Sequence, residues 1–127
     1  MPQIKVYAHR ENLSKRRARI RDALHGCVVS VLGVPPDKRF QRFIALEPDD
    51  FVHPPERSDR YTIIEIDMFP RSTGSKKALM RAMYAALAGI GIAAVDVEIV
   101  IQEVPKENWA LRGQPGDEFV FPFQVDG

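Results

Sequence analysis

The sequence predicts an α+β fold in which two strand–helix–strand units form a two-layer sandwich. Three observations predict it: short segments in which apolar and polar residues alternate, two longer segments with apolar residues at helical spacing, and the order of these segments along 127 residues. Each crossover implies parallel pairing, with both helices on one face of the sheet. Because this length corresponds to about one domain, we expect a single domain over residues 1–127, with pseudo-repeats at roughly 2–58 and 59–127.

The first unit begins with a strand, since residues 4–8 alternate between apolar and other side chains. Apolar residues then recur at spacings of three and four over residues 13–32, which predicts a helix of about five turns that ends at Gly33. A short strand is expected over residues 40–46. Two residues are suitable N-caps for this helix: Asn12 and Ser14.

The second unit begins with a strand over residues 61–68, in which one face is clearly apolar. A second helix follows the capping residues around Ser72 and ends near Gly89. Residues 97–103 are rich in β-branched side chains and predict a third strand, and a last strand is expected over residues 119–123.

Composition limits the function classes. Eighteen Lys and Arg residues against seventeen Asp and Glu leave a net charge of +1, which argues against a nucleic-acid coat. The longest mainly apolar stretch, residues 85–95, is too short to span a bilayer, and no signal peptide opens the chain, so we expect a cytoplasmic protein without a membrane partner. Cys27 is the only cysteine and the three histidines are scattered, so no metal site is expected.

One charged segment stands out in the first helix. Residues 10–21 contain six cations, and Glu11 is the only acidic residue among them. Such a cluster could bind an anion or a nucleic acid. A solvated helix face is the favoured interpretation, because the rest of the chain compensates the charge and no aromatic residues interleave.

Pro2 is a candidate catalytic residue because it follows the initiator Met1 and immediately precedes the first strand. Removal of Met1 is expected before proline and leaves a secondary amine. A free α-amino group titrates near about 7.7–8.0, so this nitrogen can act as a base at neutral pH, which an internal proline nitrogen cannot do. The strand that follows would hold the amine in a sheet instead of letting it fray.

Four sequence motifs, taken together, resemble the tautomerase superfamily, whose members begin with a catalytic amino-terminal proline. The resemblance spans nearly the whole chain and is strongest to the branch that contains malonate semialdehyde decarboxylase. The motifs are Pro2, Gly33-Val34-Pro35 leading into Lys38-Arg39-Phe40-Gln41, Phe69-Pro70-Arg71-Ser72, and Glu103 with Asn108-Trp109 and Gly113.

The resemblance implies a homotrimer of β-α-β units that uses no metal and no organic cofactor. Its implied substrates are small 2-oxo or 3-oxo carboxylic acids and unsaturated acids. Pro2 would act as general base and then acid, and Arg71 would hold the carboxylate through its planar fork. Asp37 or Arg39 would polarise the other end of the substrate or a water. The implied pocket walls are Phe69 and Trp109, although Trp109 also fits a role as an anchor for the tail.

Two positions depart from the decarboxylase pattern. Lys38 stands where that branch has an aspartate, with Asp37 one residue earlier, and Phe69 stands where it has an arginine. A broader tautomerase or hydratase-like activity is therefore favoured over decarboxylation. Two alternatives remain open: a non-catalytic trimer of the same fold that binds a ligand or a protein, and an anion or nucleic-acid binder that uses the basic helix.

Overall fold

The computed structural model of the chain describes residues 2–127. One four-stranded sheet is covered on one face by two helices, and a short hairpin follows the last main strand. In chain order the elements are β1 (Gln3–His9), α1 (Arg10–Leu32), β2 (Gln41–Leu46), β3 (Thr62–Met68), α2 (Thr73–Ala88), β4 (Val97–Glu103), β5 (Ala110–Leu111) and β6 (Gln114–Pro115).

The sheet has the strand order β2-β1-β3-β4. β1 pairs with β2 and β3 pairs with β4 in parallel, while the two central strands, β1 and β3, run antiparallel. The predicted α+β class with two β-α-β units in two layers is thereby confirmed. Within residues 2–127, no helix is both long and apolar enough to cross a membrane.

The core lies between the sheet and the two helices. Side chains of alternate strand positions, such as Val6 of β1 and Ile64 of β3, are fully buried against Leu24 of α1 and Met83 of α2. The positions between them point to the other face of the sheet, where side chains are only half-buried or exposed. The period-two pattern of the sequence therefore separates a helix-covered face from an open face.

The helix ends confirm two predictions and correct one. Gly33 adopts a left-handed conformation (φ 70°) at the end of α1, and Ser72 caps α2 by accepting a hydrogen bond from the Ser75 amide. The prediction of Asn12 or Ser14 as N-cap of α1 is wrong, because the helix already begins at Arg10 with His9 at the cap. The Asn12 side chain is buried instead and donates to the carbonyl oxygen of Arg60 (3.3 Å).

The predicted strand over residues 119–123 is not present, and the short hairpin of β5 and β6 precedes this segment instead. The alternating phenylalanines of the tail meet edge to face: the ring centroids of Phe119 and Phe121 are 4.9 Å apart, and those of Phe121 and Phe123 are 6.0 Å apart. Edge-to-face contact between rings, which does not require a neighbouring strand, accounts for the period-two pattern here.

The strand directions give the sheet two distinct ends. β1 and β2 begin, and β3 and β4 end, next to Pro2; this end also receives the end of α1 and the start of α2. We call it the Pro2 end. The opposite end of the sheet, where β1 ends, is called the His9 end. Two loops meet there, residues 47–61 and 89–96.

Candidate functional site

Pro2 is buried at the Pro2 end, directly before the first residue of β1. On one side, the amide of Ile4 donates to the carbonyl oxygen of Phe40 (3.0 Å). On the other side, Gln3 pairs with Asp67, so Pro2 lies level with the end of β3. The two central strands and β2 therefore hold the proline position from both sides.

A cavity of about 330 Å³ adjoins this position. Its walls are Gln3, Phe40, Phe69, Trp109 and residues 110–112 of the hairpin. We call it the Phe69–Trp109 cavity. A groove of about 280 Å³, which contains Arg39, shares Gln3 and Phe40 with it. The residue that follows Pro2 thus lies at the junction of an apolar cavity and a more polar groove.

Two aromatic side chains shape the Phe69–Trp109 cavity. The rings of Phe69 and Trp109 meet edge to face, with centroids 5.2 Å apart. The Trp109 indole donates from Nε1 to the carbonyl oxygen of Val104 (3.0 Å), which fixes the ring. Both roles considered for Trp109 are therefore compatible with its position, since it anchors the tail and walls the cavity.

Arg71 lies between the two helices at this end. Its guanidinium donates from Nη1 to the carbonyl oxygen of Leu32 (3.3 Å), at the C-terminal end of α1. Burial lowers the pKa of Arg71, and the negative charge of Asp126 opposes that shift. The side chain stays charged at neutral pH. Arg71 is not among the walls of the Phe69–Trp109 cavity.

Glu103, at the end of β4, holds the residues at the start of α2 in place. Its carboxylate accepts from Nζ of Lys76 (2.8 Å) and from the backbone amide of Arg71 (2.7 Å). Both hydrogen bonds keep the pKa of Glu103 below its usual value. Glu103 therefore positions Arg71 at the N-terminal end of α2, a role that the sequence motif did not reveal.

The other two predicted site residues lie on the surface. Arg39 is in the adjoining groove and donates from Nη1 to Oδ1 of Asp22 (2.7 Å). The Asp37 side chain is 77% exposed, and its nearest cation is Lys38, at 3.8 Å. Asp37 lines neither of these two spaces. The structure thus brings Arg39, Phe69 and Trp109 around Gln3, and leaves Arg71 and Asp37 outside these walls.

Sequence reasoning missed Arg112, which lines the Phe69–Trp109 cavity from the hairpin. The sequence predicts a Gly/Pro loop in this part of the chain and does not single out Arg112. The available signal was Gly113, since glycine is typical of a two-residue hairpin turn; no sequence pattern marked Arg112 itself.

The His9 end contains a larger cavity of about 880 Å³, bounded by the first turn of α1 and the loop after β2. Nε2 of His9 and Nε2 of His53 are 2.9 Å apart, and Nδ1 of His53 is 3.1 Å from the carbonyl oxygen of Pro54. Because a carbonyl only accepts, His53 carries its proton on Nδ1, and its Nε2 accepts from His9. The two imidazoles therefore form hydrogen bonds with one another and with the backbone.

The basic segment of α1 is partly neutralised by neighbours. Arg10 pairs with Glu47 (2.5 Å), Lys15 with Glu11 (3.3 Å) and Arg21 with Asp22 (3.4 Å). Such exposed pairs contribute little to stability, but they offset the local positive charge. Over residues 2–127, no three His, Cys, Asp or Glu side chains converge in a manner that could hold a metal ion.

The comparison with known proteins agrees with this architecture. A family described as tautomerase enzyme matches residues 38–112. The crystal structure of FG41 malonate semialdehyde decarboxylase inhibited by 3-bromopropiolate is 30% identical, with a TM-score of 0.77 over 85% of this chain and 87% of that chain.

Two further solved structures share the fold. A malonate semialdehyde decarboxylase, for which decarboxylase and hydratase activities are described, is 24% identical, with a TM-score of 0.81 over 89% of this chain and 93% of that one. A fused 4-OT, a symmetric trimer, is 20% identical, with a TM-score of 0.75 over 88% of this chain and 93% of that one. At these identities the likeness concerns the fold alone.

Proposed function

Because the chain belongs to the tautomerase enzyme family, we propose that it moves a proton between carbon and oxygen of a small keto or enol carboxylic acid. Pro2 is the general base and then the general acid of this proposal. The observation that carries it is the position of Pro2, which is buried at the end of the sheet and followed by Gln3 in the wall of the Phe69–Trp109 cavity.

The chemistry requires a free amine at Pro2. Met1 lies outside the described residues, and the proposal depends on its removal. The amine takes a proton from the carbon next to the carbonyl group, and the electron pair moves to the carbonyl oxygen. The Pro2 ammonium then returns the proton to that oxygen, which forms the enol and the free amine. A free α-amino group has a pKa of about 7.7–8.0 and is therefore partly unprotonated at neutral pH. A nearby cation or burial in an apolar site lowers its pKa further.

Arginines supply the electrostatic part of the proposal. Arg71 holds the substrate carboxylate when its guanidinium exchanges the Leu32 carbonyl oxygen for the ligand; the amides at the start of α2 favour an anion in the same region. Arg39, or Asp37 from the exposed loop beside it, polarises the other end of the substrate or a water. Phe69 and Trp109 enclose the carbon skeleton and exclude water from it.

We also propose a homotrimer. The open face of the sheet carries apolar side chains, among them Ile63 and the 46% exposed Val100, which burial against further subunits would stabilise. The fused 4-OT of similar fold forms a trimer. Sedimentation equilibrium should give about three times the 14.4 kDa of one chain. A mass of one chain at micromolar concentration would contradict the trimer.

Decarboxylation or hydration is the second candidate reaction. A structure that is 30% identical belongs to a malonate semialdehyde decarboxylase. Phe69 fills the position before Pro70 with an apolar ring, which removes a charge that could bind a second polar group there. Proton transfer without loss of carbon dioxide therefore remains the favoured outcome, and both products should be measured in the same assay.

A screen of small 2-oxo acids and their enols tests the proposal. Protein whose intact mass shows that it begins at Pro2 is mixed with each acid, and ultraviolet absorbance and carbon dioxide release are followed. We expect keto–enol exchange with little carbon dioxide, and a slower reaction with Pro2→Ala, which keeps a primary amine in nearly the same place. Absence of any reaction would favour a non-catalytic trimer that binds a ligand or a protein.

A further inference from the structure

The turn between β5 and β6 has an unusual residue in it. Arg112 and Gly113 both have positive φ angles, 51° and 83°. Two central residues with positive φ are typical of a type I′ hairpin turn, in which Asn, Asp and Gly are favoured because a larger side chain strains the left-handed conformation. Within residues 2–127, Arg112 is the one non-glycine residue with positive φ. Such strained positions concentrate at functional sites.

The strained residue is a cation that contributes to the wall of the cavity. Arg112 is one of the walls of the Phe69–Trp109 cavity, and its Cζ lies 5.5 Å from the ring centroid of Phe119. Contact with an aromatic ring holds the guanidinium without neutralising its charge. An arginine in this turn is therefore both strained in its backbone and supported in its side chain.

Three neighbouring cations at this end have anionic partners, whereas Arg42 donates to Oε1 of Gln3 (3.4 Å) and Arg71 to the carbonyl oxygen of Leu32. Lys76 binds Glu103 (2.8 Å), Lys106 binds Asp126 (3.2 Å) and Arg39 binds Asp22 (2.7 Å). For Arg112, no carboxylate of residues 2–127 forms a salt bridge. A charged guanidinium beside an apolar cavity of about 330 Å³ is suited to a small carboxylic acid with a hydrocarbon chain.

We propose that Arg112 is a specificity-determining residue that binds the carboxylate of the substrate at the Phe69–Trp109 cavity; this proposal rests on the function proposed above. The apolar part of the acid lies between Phe69 and Trp109. A carboxylate has acceptor sites for more than one guanidinium, so Arg112 acts in addition to Arg71. The site selects small monocarboxylic acids over neutral ketones and esters of the same shape.

A binding experiment separates this proposal from the catalytic one, because it needs no turnover. Trp109 is the only tryptophan of the chain and walls the cavity, so its fluorescence reports binding there. The probes are butanoate and methyl butanoate, which have similar shapes and differ in charge. The variant is Arg112→Asn, since asparagine accepts positive φ better than arginine and should preserve the hairpin. Arg81→Gln, an exposed arginine of α2 away from the cavity, is the matched control.

We expect the wild type and Arg81→Gln to bind butanoate alike and more tightly than methyl butanoate. Arg112→Asn should weaken butanoate binding at least 10-fold, leave the weak binding of the ester unchanged, and melt no lower than the wild type. In the assay of a 2-oxo acid, Arg112→Asn should raise KM more than it lowers kcat.

Equal butanoate affinity in the wild type and Arg112→Asn would overturn the proposal, as would equal affinity of the wild type for the acid and the ester. If butanoate binding depends on Arg112 while no keto or enol acid is turned over, the specificity proposal stands and the catalytic one fails. A purely structural role for Arg112 would lower the melting temperature of Arg112→Asn together with the affinities for both probes, which also contradicts the proposal.

Discussion

The His9 end of the sheet encloses a larger cavity than the Pro2 end, about 880 Å³ against about 330 Å³, but the polar groups of the two ends are arranged differently. At the His9 end, several polar groups bind one another: the imidazoles of His9 and His53 lie 2.9 Å apart, and Asp96 accepts from the Ser58 hydroxyl (2.6 Å). Tyr61 donates in the same way to Glu98. These pairs connect the two loops to one another and to the strands.

At the Pro2 end, the smaller cavity has aromatic walls and an arginine without a carboxylate partner among residues 2–127. Cavity size alone would select the other end as the site. Unpaired charge next to apolar walls is the better indicator, because desolvated polar groups that already bind one another gain little from a ligand. We therefore expect the His9 end to contribute mainly to stability and the Pro2 end to carry the proposed chemistry.

The largest effect is expected for Arg71→Ala. Loss of a charge-assisted pair with the carboxylate should cost about 2–5 kcal/mol of binding to a 2-oxo acid, and lower kcat/KM accordingly. The melting temperature should change less, because the side chain loses one hydrogen bond, to the Leu32 carbonyl oxygen. Steady-state kinetics and thermal melts check both. The control is Arg57→Ala at the His9 end, whose partner is Glu56. An unchanged rate for Arg71→Ala would remove Arg71 as the carboxylate anchor.

A smaller effect is expected for Gly116→Ala, which tests the support of the Trp109 wall. A Cβ at Gly116 would lie 2.4 Å from the carbonyl oxygen of Lys106 and 2.9 Å from Cβ of Trp109, so the tail must shift. Such overpacking typically costs roughly 1–3 kcal/mol. Trp109 emission and butanoate affinity should both change. Gly74→Ala in α2 is the control, because a Cβ there meets nothing within 4 Å. Identical emission spectra for the two variants would show that the wall does not depend on this close approach.

The smallest effect is expected at alkaline pH for the Tyr61–Glu98 pair. Burial, with the hydrogen bond to Glu98, raises the pKa of Tyr61 to about 12. The folded state therefore favours the neutral phenol, and this contribution is complete below pH 10, the unfolded value, and is lost as pH rises from about 10 to 12. Thermal melts should show the stability advantage over Tyr61→Phe shrinking by roughly 1–2 kcal/mol in that interval. A constant difference between the two proteins would contradict the assigned pKa.

The main strands were predictable because their alternation reflects burial on one face, and the structure has β4 at the predicted residues 97–103. The tail was not predictable in the same way, since Phe119, Phe121 and Phe123 contact one another edge to face and do not form a strand. Alternation of apolar and other residues indicates that every second side chain is buried. It does not show whether a helix-covered sheet or neighbouring rings bury them.

The site was only partly predictable for a related reason. Motif resemblance indicated Phe69 and Trp109, whose rings do meet across a long sequence separation. Arg112 carries no such motif, and its importance depends on a positive φ angle and on an unpaired charge, which are properties of the folded chain. Likewise, the contacts of Glu103 with Arg71 and Lys76 depend on the register of β4 against β3.

The role of Pro2 as a base is tested most directly by the rate of one reaction in two preparations that differ only at the amino terminus. One preparation begins at Pro2 by intact mass, and the other retains one residue before it. The account predicts that the first converts an enolisable 2-oxo acid at a rate that rises with pH through an amine pKa below the free value of about 7.7–8.0, because only the unprotonated amine accepts a proton. The second preparation should be inactive, because its Pro2 nitrogen is an amide. Equal turnover by both preparations would contradict the account.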